Sequence, residues 1–280
     1  MRTTFEELAR APDEAMDVAL GAALIAKDVY GALDVDALLS RFDELAGSLR
    51  GGALVGMPLA AQAAAVSERF REAGFRGNVD DYYDVRNSLL PDVLERRTGI
   101  PITLTLVWCE IARRAGVFVR GVGFPGHFLA RIDELPALSG SAPSAPLIID
   151  PFHDGRIVTE DDARRLLERT RAPSAEIPAS LFEPATARAT LVRMLTNLKA
   201  IWAARGETTR VFVTLDRMLS LRPSSAELHR ERGQVAMRLG LKDLARRDFE
   251  RALELEPGVG EPELRKQLAM LARSPKTAPN

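Results

Sequence analysis

The chain has 280 residues, 46% hydrophobic, 28% charged and 6% aromatic, with a net charge of −1, a composition that fits one large or two ordinary globular domains, each with a core of its own. It contains no run of about 18 apolar residues to span a bilayer, and its start, MRTTFEELAR, lacks a signal peptide's charged-then-apolar order, so a cytoplasmic protein without membrane contact is expected. One cysteine, Cys109, excludes a disulfide framework and a multi-cysteine zinc site, and with three histidines (His127, His153, His229) neither a metal centre nor another cofactor is expected.

The first eighty residues read as helices. Thr3 or Thr4 caps a short one through Arg10, and Asp13, after Pro12, opens an alanine-rich run with Met16, Ala19, Leu20, Ala23 and Leu24 on one face. Asp34 caps a third, with Val35, Leu38, Leu39, Phe42 and Leu45 in one stripe, and Gly51-Gly52 stops it. Pro58 suits the first turn of a fourth. A polar and aromatic stretch follows, with Tyr82, Tyr83, Arg86 and Asn87 ahead of a short helix from Ser88 to Arg97 that Thr98-Gly99 ends.

Pro101 stands where the next helix begins. It runs from Ile102 to Ala115 with Leu104, Val107, Trp108 and Ile111 at helical spacing, and is expected to be the buried central helix. Val117–Gly123, His127–Ile132 and Leu147–Asp150 carry the β-branched or apolar character of strands, with an exposed loop at 134–146 between the second and third. Asp154-Gly155 turns the chain into Arg156–Val158, and Thr159 caps a helix over 160–170 whose acidic start suits its positive end. A Pro-containing connector, 172–184, leads into an all-helical remainder.

In that remainder a repeat appears. Residues 226–257 place Gly233, Gly240, Ala245, Phe249, Ala252 and Pro257 at the spacing of a tetratricopeptide (TPR) unit, and thirty-four residues earlier Pro223, Gly206, Leu215 and Met218 answer Pro257, Gly240, Phe249 and Ala252. Residues 261–271 read as a capping helix. Residues 1–187 carry a charge of −8 and 188–280 one of +7; opposite signs let the halves dock or give the basic end an acidic partner, and a solvated surface is the plainer account.

The segments RNSLLPDVLERRTGIPITLTLVWCEIARR, GVGFPGHFLAR and IIDPF, followed by a TPR pair, resemble the SirB family, a bacterial family whose name is tied to the regulation of invasion genes. The resemblance covers about residues 35 to 270. It implies an α+β fold: a papain- or transglutaminase-like core, with a central helix on a small antiparallel sheet and a helical N-terminal part, followed by an all-α TPR module. The expected division is 1–80 for the N-terminal helices of the core domain, 81–185 for the core itself and 186–280 for the TPR module with its cap. No established reaction comes with it.

In active transglutaminase-like proteins a cysteine opens the central helix, where the positive helix end lowers its pKa; a strand histidine takes its proton and an aspartate on the next strand fixes the imidazole. The resemblance puts His127 at the histidine position and Asp150 at the aspartate position, and the two are expected to touch. The cysteine position falls at Pro101 or Ile102. Cys109 lies about 10 Å further along the helix at the standard rise and reads as a small buried hydrophobe; Thr103 and Thr105 are nearer but read as backbone-bonded. Tyr83, Arg86, Asn87, Pro101, Ile102 and Thr103 are the candidates for lining a ligand cleft, and loop anchoring is the plainer role for Tyr83, Arg86 and Asn87. Arg230, Arg238 and Lys242 are the candidate TPR binding face for an acidic peptide; solvation accounts for most such charges.

The sequence therefore points to a noncatalytic protein- or peptide-binding module, with a triad lacking its thiol and an interaction repeat. The alternative is a hydrolase or acyl transferase that works through His127 and Asp150 with an unrecognised nucleophile or an activated water. Nucleic acid is an unexpected partner, because aromatic residues do not interleave with the basic ones.

Overall fold

The computed structural model describes residues 3–135, 144–169 and 177–273. Two compact units emerge, one spanning Ala11–Met194 and another that combines Phe5–Arg10 with the chain from Leu195 onward. No helix among the described residues is long and apolar enough to cross a membrane.

The first unit begins with helices. Helix α1 (Phe5–Arg10) is set aside for the second unit, so the expected assignment of residues 1–80 to the core departs at that point. Asp17, not Asp13, caps α2 (Val18–Tyr30), its carboxylate accepting the Leu20 amide at 3.0 Å. Asp13 instead sits in a 3-10 turn and accepts the amides of Ala187 and Arg188 at 2.9 and 3.0 Å, serving the first turn of a distant helix. Asp34 caps α3 (Val35–Ala46) as expected, and Pro58 precedes α4 (Leu59–Glu72). Two short strands, β1 (Arg76–Gly77) and β2 (Thr98–Gly99), pair in parallel on either side of α5 (Leu90–Arg96).

Helix α6 (Pro101–Arg114) is the centre of this unit. Every residue from Pro101 to Ala112 is buried, so the apolar stripe read from the sequence understates it. Trp108, fully buried, donates its indole N–H to Ser67 Oγ at 3.2 Å, and Ser67 in turn donates to the Gly155 carbonyl at 2.7 Å. Beside α6 lies an antiparallel sheet in the order β3 (Val119–Val122), β4 (Leu129–Ile132), β5 (Leu147–Asp150), β6 (Arg156–Ile157), with Ala130 opposite Gly121 and Ile149. The second strand starts later than expected, because the His127 amide bonds the Phe124 carbonyl at 3.0 Å and closes a turn there. Helix α7 (Glu160–Glu168), capped by Thr159, covers the sheet with Ala163, Leu166 and Leu167 packed on Val122, Phe124 and Leu129. Of the two loops read from the sequence, residues 136–143 and 172–176 lie outside the described residues.

Helix α8 (Ala187–Ala204) gives its first half to this unit and its second half to the next. In the second unit, α9 (Thr208–Leu221), α10 (Ala226–Arg238), α11 (Lys242–Leu255) and α12 (Glu261–Arg273) follow the expected repeat register. Gly233 shows why that register needs a small residue: a Cβ there would stand 2.5 Å from the ring of Phe249, which is fully buried among Ala226, Ala236, Ala245 and Ala252. The ends of a repeat stack need covering. Helix α12 covers one through Leu264, and α1 packs on α9 with Phe5, Leu8 and Ala9 buried.

Candidate functional site

The site forms where β5 runs out. Asp150 ends that strand, and the Pro151–His153 3-10 turn follows at once, with proline at its first position and Asp150 as its cap. In a 3-10 turn residues three apart lie above one another, so His153 returns over Asp150. The turn packs close against β1. A Cβ on Gly77 would meet the Phe152 ring and the Phe152 carbonyl oxygen at 2.7 Å, so the glycine admits the turn. His127 arrives from the turn before β4.

Asp150 is wholly buried and binds both histidines. His127 Nε2 lies 2.9 Å from Oδ1, and His153 Nδ1 lies 2.6 Å from Oδ2; the amides of Phe152 and His153 add bonds of 3.1 and 3.4 Å to Oδ1. Burial pushes the Asp150 carboxyl up, but the hydrogen bonds from His127 and then His153 outweigh it and hold the group well below the usual carboxylate range. An ionised carboxylate only accepts, so both facing ring nitrogens carry protons. The opposite nitrogens, His127 Nδ1 and His153 Nε2, make no hydrogen bond among the described residues. The two rings lie 5.7 Å apart at 27°, and Phe152 meets both edge-on.

The contact expected between His127 and Asp150 is therefore present, and His153 is a partner that sequence reasoning missed. These three side chains offer ligand atoms within 4.8 Å of one another, a spacing that could hold a metal ion. Here the imidazole N–H groups and the two amides already fill the acceptor positions of Asp150.

No thiol stands at the helix start. Ile100 is the cap of α6, and Pro101 and Ile102 are buried in its first turn. The Thr103 hydroxyl is committed to the carbonyls of Asn87 and Ile100 at 2.7 and 3.1 Å and accepts the Ile100 amide at 3.2 Å. Thr105 donates to the Phe128 carbonyl at 3.1 Å. Cys109 is buried, and that burial pushes its thiol up to about 12, so it is neither exposed nor ionised at neutral pH. Its side chain lines a different feature, a cavity of about 570 Å³ bordered also by Leu106, Arg113, Arg120 and Phe128 but by none of the histidines.

The other expected cleft residues have separate roles. Asn87 is fully buried and anchors the loop, donating to the carbonyls of Asp81 and Tyr82 at 2.7 and 3.3 Å. Arg86 pairs with Asp84 at 2.8 Å, and Arg96 joins that carboxylate at 3.2 Å. Tyr83 is 77% exposed; Tyr82 packs edge-on against Phe152 at 6.4 Å and so borders the histidines. In the second unit Arg230 pairs with Glu256 at 3.1 Å. Arg238 and Lys242 are exposed at the turn between α10 and α11 with no ion pair among the described residues. His229, Arg232, Asp216 and Asp248 form a partly buried ionic cluster that holds repeat helices together.

Comparison with known proteins places these features in a family. Residues 35–196 match the transglutaminase-like superfamily and residues 198–273 a tetratricopeptide repeat. A UPF0162 protein of Xylella fastidiosa is 38% identical over 263 residues, covering 90% of this chain and 89% of the relative. One of Pseudomonas aeruginosa is 35% identical over 187 residues, 67% of this chain and 65% of the relative. The human F-box only protein 21 is 29% identical over 170 residues, 60% of this chain but 26% of that protein. No solved structure matches significantly. With a transglutaminase-like core followed by TPR repeats and relatives that align nearly end to end, the chain belongs to the UPF0162 family, the SirB-like proteins.

Proposed function

We propose that the protein is a noncatalytic binding module that works in the cytoplasm, taking a protein or peptide partner through its TPR repeats, with the transglutaminase-like core as a second binding surface in a regulatory role. One observation carries this reading. The first turn of α6, where a nucleophile would have to stand, is built from buried Ile100, Pro101 and Ile102, and the Thr103 hydroxyl beside them is tied to two backbone carbonyls. A histidine backed by an aspartate has nothing to deprotonate there except water. On the TPR side, Arg238 and Lys242, exposed and without ion pairs among the described residues, favour an acidic partner segment.

Two measurements test it. A thiol-directed probe at pH 7.5 should leave Cys109 unmodified in the native protein over hours; rapid labelling that disappears in His127→Ala would overturn the noncatalytic reading. Capture of a partner by the full chain should drop in an Arg238→Glu/Lys242→Glu variant with unchanged circular dichroism, and equal capture would remove the TPR assignment. A second reading, hydrolysis by a water activated on His127, draws on the His127 Nδ1, which has no hydrogen-bond partner among the described residues. Turnover of p-nitrophenyl acetate that is lost in His127→Ala would establish it.

A further inference from the structure

The face beside His127 holds an arginine without a counter-charge among the described residues. Arg193, on α8 in the first unit, is partly buried, and among the described residues its guanidinium makes a single hydrogen bond, from Nη1 to the Phe124 carbonyl at 3.0 Å. The same carbonyl accepts the His127 amide, so the guanidinium and the backbone of His127 meet at one oxygen. It also sits 5.6 Å from the centroid of the Phe128 ring. No carboxylate pairs with it among the described residues, and Nε and Nη2 remain without partners. Taking a cation partly out of water with no anion to offset it is unfavourable. A bound anion reverses that.

The neighbours define which anion. Tyr82, 39% exposed, feels the charges of Arg193 and Arg169, and its hydroxyl has no partner among the described residues. Its ring rests on Phe152, which in turn touches His127 and His153. The face thus offers a planar fork of donors and a phenol at one side, and two imidazole nitrogens without hydrogen-bond partners among the described residues at the other. Guanidinium forks match carboxylates with two parallel bonds, whereas bare imidazole nitrogens accept N–H groups. The ionised Asp150 behind the rings disfavours a dianion. We propose that this face binds the carboxyl end of a peptide or acylated amino acid, with the carboxylate on Arg193 and Tyr82 and the adjoining amide N–H on a histidine. The proposal rests on the core being a binding surface and is independent of the TPR face.

The test titrates the full chain with hippurate, a benzoylated glycine carrying the amide and the carboxylate, and follows the imidazole ¹⁵N signals by NMR. Hippurate should move the His127 or His153 ring signals with a Kd of about 1 mM, the scale of a weak fragment. Hippuramide, which lacks the charge, should bind at least about tenfold more weakly, as should Arg193→Gln, with Arg193→Lys in between. Should Arg193→Gln misfold, Tyr82→Phe keeps the arginine and is expected to weaken binding severalfold. Equal binding of hippuramide, full binding by Arg193→Gln, no response to hippurate, or stronger binding of inorganic phosphate each overturns the proposal. Release of benzoate and glycine from bound hippurate would sustain the site while removing the noncatalytic reading.

Discussion

Replacing Asp150 by alanine isolates what the His–Asp–His array contributes. The carboxylate is wholly buried and accepts from two imidazoles and two amides. Alanine leaves His127 Nε2–H and the Phe152 amide without partners in the interior; His153, 34% exposed at its side chain, can turn to water. At about 1–3 kcal/mol for each buried donor left unsatisfied, the loss should be about 3–5 kcal/mol. Asparagine should cost less, about 1–2 kcal/mol, because its oxygen, placed at Oδ1, keeps the His127 ring and both amides, and only the partly exposed His153 ring loses its acceptor. A carboxyl held low in the folded state and ordinary in the unfolded one stabilises the fold above about pH 4, and that stabilisation is lost as the pH falls further. The Asp150→Asn variant should therefore lose stability less steeply in acid than the parent. The two tryptophans allow the core to be followed separately: Trp108 lies in the first unit and Trp202 in the second, so urea unfolding of a Trp202→Phe background by fluorescence reports on the core. A loss under about 1 kcal/mol in Asp150→Ala, or identical acid limbs for the parent and Asp150→Asn, would refute the account.

Two further substitutions probe how the parts are positioned. Gly77→Ala sets a methyl 2.7 Å from the Phe152 carbonyl, a backbone atom that cannot swing aside, so the 3-10 turn should shift at a cost of about 1–3 kcal/mol and the His153 ring signals should move; unchanged signals would contradict the close fit. Phe5→Ala removes a ring that is 3% exposed and lies 5.2 Å from the Arg217 guanidinium. A rigid core would lose about 3–5 kcal/mol, but a six-residue helix undocks first, so the expected signature is faster amide exchange in α1 and α9 with a smaller global loss; unaltered exchange would show that α1 covers nothing.

The long elements were legible because their signals are periodic. The central helix, the strand ending at Asp150, the cap at Thr159 and the 34-residue repeat all appear where apolar spacing and capping residues put them. The misses are short or non-local. The parallel pair β1–β2 has two residues in each strand, too few for any alternation to show. Asp13 carries a capping residue's chemistry but spends it on a helix more than 170 positions away, and no local pattern distinguishes that from capping the helix that follows. The docking of α1 with the repeats is of the same kind: six residues with a buried Phe and Leu declare that they need a partner, not which one.

The site itself was half legible, and the missing half changes its chemistry. His127 and Asp150 follow from a motif, whereas His153 follows from a turn: Asp-Pro-Phe-His is a capped 3-10 sequence in which the first and fourth side chains meet, a signal that was present and unread. One imidazole on an aspartate is half of a triad waiting for a nucleophile. Two imidazoles on one aspartate satisfy that carboxylate completely, fix the orientation of both rings and turn the opposite nitrogens away from it. Such a pair needs no thiol to be structurally coherent. That explains how the α6 start can be Ile-Pro-Ile without leaving Asp150 unsatisfied, and why a nearby arginine with no carboxylate partner among the described residues is more informative about this face than the absent cysteine.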